Sequence, residues 1–215
     1  MTLREQLRAQ SENARQRTSP HDRETMRRQA EELARSGLSE HALSVGSPAP
    51  SFVLPSATGR DVSLTALLAE GPVVLTFYRG AWCPYCNLAL RALQGINGDI
   101  HDRGGRLVAV SPQVPDESLS LVDKHDLAFD VLSDIGSEIA KRYGIAFDVS
   151  EELAAMYVQR GLDLQRVNGG HPRTLPLPAT FIIDVRGIVR WAFVATDHTL
   201  RAEPADILSA LDAVE

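Results

Sequence analysis

Pro72-Val-Val-Leu-Thr-Phe-Tyr-Arg-Gly-Ala-Trp-Cys-Pro-Tyr-Cys-Asn87 is the stretch on which the fold turns. Its first seven residues are short, β-branched and aromatic, the pattern of a strand buried on both faces of a parallel sheet. Pro84 stands where a first-turn proline loses no hydrogen bond, and Asn87-Leu-Ala-Leu-Arg-Ala-Leu93 then repeats leucines at helical spacing. The stretch therefore predicts strand, tight turn and helix, with Cys83 at the helix N-terminus.

Cys83 and Cys86 are the only cysteines among the 215 residues. Unpaired amides and the positive end of the helix dipole favour a thiolate at Cys83, so its pKa is expected to fall below the free value of about 8.5. Thiolates attack disulfides and peroxides, which points to redox chemistry. Three plainer readings compete. A structural disulfide across so short a loop removes little unfolded-chain entropy. Half a zinc site lacks its other half, because no second Cys-x-x-Cys exists and His101, His125, His171 and His198 are not spaced as paired ligands. Two inert buried thiols are the third.

Composition narrows the class. A 44% hydrophobic chain of this length supports one sizeable core plus additions. The net charge of −6 argues against a nucleic-acid binder, and Lys124 and Lys141 are the only lysines, so the positive charge is almost all arginine. No apolar stretch reaches membrane-spanning length and Met1-Thr-Leu-Arg-Glu-Gln-Leu-Arg-Ala9 carries no apolar signal core. The expectation is a cytoplasmic protein with no membrane or nucleic-acid partner, its dithiol kept reduced between turnovers.

Outward from the cysteines, the chain divides. Residues 1–43 interleave eight arginines with glutamates around Leu3, Leu7, Met26, Ala30, Leu33 and Ala34, which predicts two amphipathic helices broken near Ser19-Pro20 and stopped by Gly37. They pack on the core as a solvated pair or serve a homodimer contact. Residues 44–215 read as one α/β domain. A hairpin about Thr58-Gly59 leads in, followed by a short helix through Leu64, Leu67 and Leu68. Strands near 72–78, 105–110 and 128–132 then alternate with helices near 84–103, 116–125 and 137–143, which calls for a mostly parallel sheet covered on both faces. Ala179 to Phe193 reads as a hairpin about Val185-Arg-Gly187, and a closing helix spans about Pro204 to Val214. Residues 148–175 form a helical insertion before that hairpin, with Leu153, Met156, Tyr157 and Leu162 at helical spacing and a polar end at Asn168-Gly-Gly-His-Pro172.

Trp82-Cys83-Pro84-Tyr85-Cys86 after a buried strand, with Leu177-Pro178-Ala179-Thr-Phe-Ile-Ile-Asp184 downstream, resembles the thioredoxin fold, in which Cys-x-x-Cys faces a cis-proline just before a strand. Pro178 matches that proline. Gly46-Ser-Pro-Ala-Pro-Ser-Phe52, the strand ending Phe77-Tyr78 and Phe181-Ile-Ile-Asp-Val-Arg-Gly-Ile-Val-Arg190 more specifically resemble peroxiredoxins of the alkyl hydroperoxide reductase and thiol-specific antioxidant (AhpC/TSA) family, above all the Cys-x-x-Cys branch that includes selenoprotein U relatives. The resemblance begins at about Val45. It implies a thioredoxin-like α/β fold, a central mixed sheet flanked by helices. It also implies a thiol peroxidase that reduces hydrogen peroxide or organic hydroperoxides through a Cys83/Cys86 dithiol-disulfide cycle. No cofactor and no metal are implied, and thioredoxin, glutaredoxin or a low-molecular-weight thiol would be the reductant. The alternative is a thioredoxin-like protein thiol-disulfide reductase with little peroxidase activity.

The departures bear on the site. Peroxiredoxins carry Pro-x-x-x-Thr-x-x-Cys, and a gap-free match from Phe77-Tyr78 sets Arg79 on the proline, Cys83 on the threonine and Cys86 on the peroxidatic cysteine. The family's activating arginine before the Phe-Ile-Ile-Asp strand is replaced by Pro178, which leaves Arg79 and Arg173 as candidates to substitute. Thioredoxin logic assigns the roles the other way, with Cys83 exposed and nucleophilic and Cys86 sheltered and resolving; that assignment is the one expected here. Trp82 and Tyr85 are expected to wall the site, or simply to pack. Asp197-His198 reads as a cap or surface pair rather than a general base.

Overall fold

The computed structural model describes residues 1–170 and 173–214, together with the side chains of all of these except 116, 119, 120 and 123. His171 and Pro172, the end of the polar stretch noted above, lie outside the described residues. Helix α1 (Leu3–Arg17) opens on a capping box, in which the Thr2 hydroxyl accepts from the Glu5 N–H while the Glu5 carboxylate accepts from the Thr2 N–H. Helix α2 (Pro20–Arg35) starts one residue after its Ser19 cap, with Pro20 in the first turn. Gly37, at φ +69°, turns the chain out of α2 in the left-handed region.

A two-stranded hairpin follows, β1 (Val53–Pro55) and β2 (Asp61–Ser63), running into α3 (Leu64–Glu70). The central unit is β3 (Val73–Phe77), α4 (Pro84–Gly95), α5 (Asn97–Asp102), β4 (Arg106–Ser111), α6 (Pro115–His125), β5 (Asp130–Ser133) and α7 (Glu138–Arg142). Next come β6 (Ala146–Asp148), α8 (Glu151–Gln159), α9 (Leu164–Val167) and β7 (Thr174–Pro176), and the chain ends with β8 (Ala179–Ile183), β9 (Val189–Val194) and α10 (Pro204–Asp212).

Five strands form the main sheet in the order β5-β4-β3-β8-β9. β3 pairs parallel with β4 and antiparallel with β8, which makes it the central strand and explains its uninterrupted apolar run. Its alternate side chains serve two cores. Val74, with Ala109, Val131 and Ile182, faces α4, α5 and α10. Val73, Leu75 and Phe77, with Val108, Val110, Phe181 and Ile183, face α3, α7 and the β1–β2 hairpin. Each fully buried aliphatic or aromatic side chain contributes about 1.5–3 kcal/mol relative to exposure. The topology is a thioredoxin-like mixed sheet with helices on both faces.

Three features differ from the sequence reading. The helix expected over 84–103 is two helices, because Ile96 leaves the helical region at φ −111°, ψ 7° between Gly95 and Gly98. The base of the insertion carries an unforeseen ladder, in which β6 and β7 pair antiparallel from Ala146↔Pro176 to Asp148↔Thr174. Residues between them fold on their own small core of Val149, Leu153, Met156, Tyr157, Leu164, Val167 and Leu175.

The third difference concerns Pro178. No peptide bond among the described residues is cis, so the Leu177–Pro178 bond is trans. The Leu177 N–H donates to the Ile145 carbonyl at 2.8 Å and the Pro178 carbonyl accepts from the Ala195 N–H at 3.1 Å. These two bonds anchor the short link between β7 and β8 to the end of β9 on one side and to the start of β6 on the other.

The apolar stripes of α1 and α2 are covered within the chain, as the packed-pair alternative expects. Leu3 and Leu7 enter the core of α4, and Leu33 enters the core on the other face of the sheet.

Candidate active site

Tyr78 to Trp82 forms the turn between β3 and α4. Gly80 sits at φ +148°, and a Cβ there would run into the Trp82 indole nitrogen and stand 2.9 Å from the Gln113 amide carbon. The Gln113 side-chain oxygen accepts from the Ala81 N–H at 2.5 Å, and the Cys83 N–H donates to the Gly80 carbonyl at 3.1 Å. These bonds fix Cys83 as the N-cap residue of α4 and place Cys86 in its first turn.

Both sulfurs are buried, with relative exposures of 1% for Cys83 and 0% for Cys86, and both are free thiols. The expectation of an exposed Cys83 is therefore corrected: α1 lies over α4, and Leu3 and Leu7 share a core cluster with both cysteines.

The charge belongs to Cys86. Burial works against its ionisation, yet the Cys83 thiol, which donates to it, the Arg201 guanidinium and the Arg79 backbone N–H hold its pKa well below the ordinary thiol value. Arg201 Nη2 stands 3.0 Å from Cys86 Sγ. Cys83 moves in the opposite direction, because giving its proton to the Cys86 sulfur and losing water both raise its pKa. The helix N-terminus was expected to produce a low-pKa Cys83. It is outweighed by an adjacent anion and by burial, whereas the cations converge on the second cysteine.

Arg79 is buried beneath the insertion. Its Nη2 donates to the Tyr157 hydroxyl at 2.7 Å, and its guanidinium carbon lies 4.9 Å from the centre of the Trp82 ring. Trp82 in turn leans on Tyr157 with ring centroids 5.5 Å apart. No carboxylate pairs with Arg79 among the described residues, and its Nε has no partner. Its positive charge acts on both sulfurs. Arg173, the other candidate substitute, is at the rim of the insertion, 3.1 Å from Glu151.

A cavity of about 30 Å³, space for one or two water-sized molecules, lies between Arg79, Tyr157, Pro178, Thr196 and His198, with Met26 and Leu33 closing it from α2. Pro178 thus borders the site in its trans form. Tyr85 meets His198 edge to face at 5.5 Å. Burial, then the nearby Arg79 cation, push the His198 pKa down to about 3, so the imidazole is neutral. Asp197 accepts from the Thr199 N–H and hydroxyl, a local turn contact.

The turn and the fold thus bring together Arg79, Trp82, Cys83, Tyr85, Cys86 and Pro178. Sequence reasoning missed Arg201, Tyr157 and the placement of His198. Arg201 follows the last strand and lies 115 residues from the sulfur it contacts, so no local pattern could connect them.

Comparison with known proteins gives a consistent answer. The AhpC/TSA family model matches residues 45–192. The thiol-disulfide oxidoreductase ResA of Bacillus thuringiensis is 26% identical over 151 residues, covering 70% of this chain and 69% of that protein. The chloroplastic peroxiredoxin Q of Sedum lineare is 26% identical over 148 residues, covering 69% and 67%. Among solved structures, the peroxidoxin BcpB of Mycobacterium tuberculosis superposes with a TM-score of 0.64 at 20% identity over 80% of this chain and 99% of that one. That likeness concerns the fold.

Proposed function

Because the chain belongs to the AhpC/TSA family, we infer that it is a thiol-based antioxidant oxidoreductase that reduces peroxides through the Cys83/Cys86 pair. The observation that carries the reading is the stabilised sulfur anion, Cys86 with Arg201 at 3.0 Å and the Cys83 thiol as donor. In this cycle the Cys86 thiolate attacks the terminal oxygen of the O–O bond. A sulfur–oxygen bond forms, the O–O bond breaks, and the leaving alkoxide or hydroxide takes a proton. Cys83 then condenses with the Cys86 sulfenic acid, forming the disulfide and releasing water. Cys83 fills both the donor place of the family's threonine and the place of the resolving thiol. Arg79, beside the small cavity and without a carboxylate partner, is suited to orient the peroxide oxygens as charge develops on them.

Two equivalents of thiol restore the dithiol, and thioredoxin, glutaredoxin or a small thiol could each supply them. Such a supply suits a reducing compartment, the cytoplasm.

The second reading, a protein thiol-disulfide reductase, is favoured by Cys-x-x-Cys at the start of α4 and by similarity to ResA. It is disfavoured by a roofed Cys83. Stopped-flow mixing of the reduced protein with hydrogen peroxide, followed by tryptophan fluorescence and thiol counting, separates the two. Oxidation far faster than that of a free thiolate, with both thiols lost together, supports the peroxidase. A rate no faster than a free thiolate, with rapid exchange against protein disulfides, replaces it with the reductase.

A further inference from the structure

A second cavity, of about 540 Å³ and open to solvent, lies between the α1–α2 hairpin and the active site. Its size falls in the range of small-ligand sites. Tyr85 and His198 form its floor. Tyr85 is two residues from Cys83, and His198 is three from the arginine that holds Cys86. On this side the approach to the site is roofed, and its roof is made of the first helices.

The vestibule is charged in a particular way. Arg15 has no side-chain partner among the described residues, and Arg23 uses only Nη1, on the Arg15 and Thr18 carbonyls at 2.9 Å each. Arg27 is neutralised by Glu24 and Glu31. Asp197 stands on the opposite side, using one carboxylate oxygen for Thr199. The cavity is thus lined by the Arg15 and Arg23 guanidiniums, which have no acidic partner among the described residues, by Asp197, and by the Arg27 group with one carboxylate in excess, above a neutral floor.

We propose that this vestibule binds a small zwitterionic thiol, one with two carboxylates and an ammonium group, and that this thiol is the reductant of the Cys83–Cys86 disulfide. The proposal rests on the peroxide-driven cycle inferred above. A protein reductant would have to lift Leu3 and Leu7 out of the core they share with both cysteines before its own cysteine met Cys83. Neither sulfur lines the vestibule, and a tripeptide-sized thiol seated there approaches Cys83 by displacing the Tyr85–His198 ring pair rather than the helices. Its carboxylates meet Arg15 and Arg23, and its ammonium group meets Asp197.

The chemistry then has a preferred direction. The thiolate of the small molecule attacks Cys83 Sγ, a new S–S bond forms there, and the Cys83–Cys86 bond breaks with its electron pair leaving on Cys86. Cys86 is the better leaving group because Arg201 and the Arg79 N–H stabilise its anion. A second molecule attacks the mixed disulfide, releasing the small-molecule disulfide, and Cys83 takes up a proton.

The test starts from full-length protein oxidised with diamide, so that it does not depend on peroxide reactivity. Second-order rates of reduction are compared for glutathione, 2-mercaptoethanol and bacterial thioredoxin, each corrected for its thiolate fraction. The expected result is glutathione at least about tenfold faster than 2-mercaptoethanol, with an advantage that shrinks in high salt. Arg15→Glu with Arg23→Glu is expected to lower the glutathione to 2-mercaptoethanol rate ratio by about tenfold. Equal rates for the two small thiols, a ratio unmoved by the charge reversal, or thioredoxin outpacing both would each overturn the proposal. Failure of hydrogen peroxide to oxidise the reduced protein would instead overturn the peroxidase reading and leave these comparisons standing.

Discussion

The Arg201 guanidinium donates to the Cys86 sulfur at 3.0 Å, joining the loop after the last strand to the first turn of α4. The same guanidinium is itself held by the His198 and Leu200 carbonyls, which aim it at the sulfur. A directed cation of this kind selects which of two neighbouring thiols ionises.

Arg201→Gln is therefore expected to raise the Cys86 pKa, because the cation that stabilises its thiolate is lost. Thiolate absorbance at 240 nm, titrated in the Cys83→Ser background, checks the shift. Oxidation by hydrogen peroxide should slow relative to the native protein, most strongly on the acid side, where the thiolate fraction of the variant falls first.

The two cysteines should behave unequally. Cys86→Ser is expected to abolish peroxide consumption. Cys83→Ser should still complete one turnover and accumulate a sulfenic acid that dimedone labels, detectable by mass spectrometry. Its first oxidation should stay within several-fold of the native rate, because the serine hydroxyl can still donate to the thiolate. Labelling confined to Cys83 in the opposite variant would reverse the assignment.

Acid should act on stability through His198. Its folded-state pKa of about 3 lies below the unfolded value of about 6.5, so the neutral imidazole favours the fold above pH 6.5. That contribution is lost as pH falls from 6.5 towards 3, when the unfolded chain takes up a proton that the folded one refuses. Melting temperatures across this window should drop less steeply in His198→Gln than in the native protein.

Gly80 is the backbone position on which the turn depends. Gly80→Ala should cost about 2–3 kcal/mol, since the added methyl group has Trp82 and Gln113 in its way and the residue sits at positive φ. A fall in melting temperature of about 5–10 °C is expected for a chain of this size. Peroxide oxidation should slow as well, because Trp82 is the platform beneath Arg79.

Much of this arrangement was open to a reading of the sequence where the determining interactions are local. The apolar run of β3, Pro84 in the first turn of α4, and Asp184 with Gly187 in the last hairpin each act within a few residues. Asp184, for example, accepts from the Arg186 and Ile188 N–H groups at 2.9 Å. What stayed hidden depends on long chain separations. The contact of Arg201 with Cys86 and that of Tyr157 with Arg79 leave no periodic trace. The ladder of β6 and β7 was hidden by brevity, three residues a side, and by Pro176 at its end. The pKa order of the cysteines was misjudged because a local rule about helix termini competed with burial and with cations supplied by distant segments.

The α1–α2 hairpin is tied down on two sides. The Arg4 N–H donates to the Glu203 carboxylate at 2.6 Å on the α10 side. On the other, Arg28 and Thr25 share Glu152, Arg160 pairs with Asp22, and the Gln29 side chain accepts from the Ser150 N–H. Two of these five ties, Arg28–Glu152 and Arg160–Asp22, are ion pairs near the surface, each worth about 0–1 kcal/mol and weakened by dissolved ions. The roof over the cysteines is thus pinned by the buried side chains of Leu3, Leu7 and Leu33, with individually weak polar hooks around them, of which dissolved salt loosens only two.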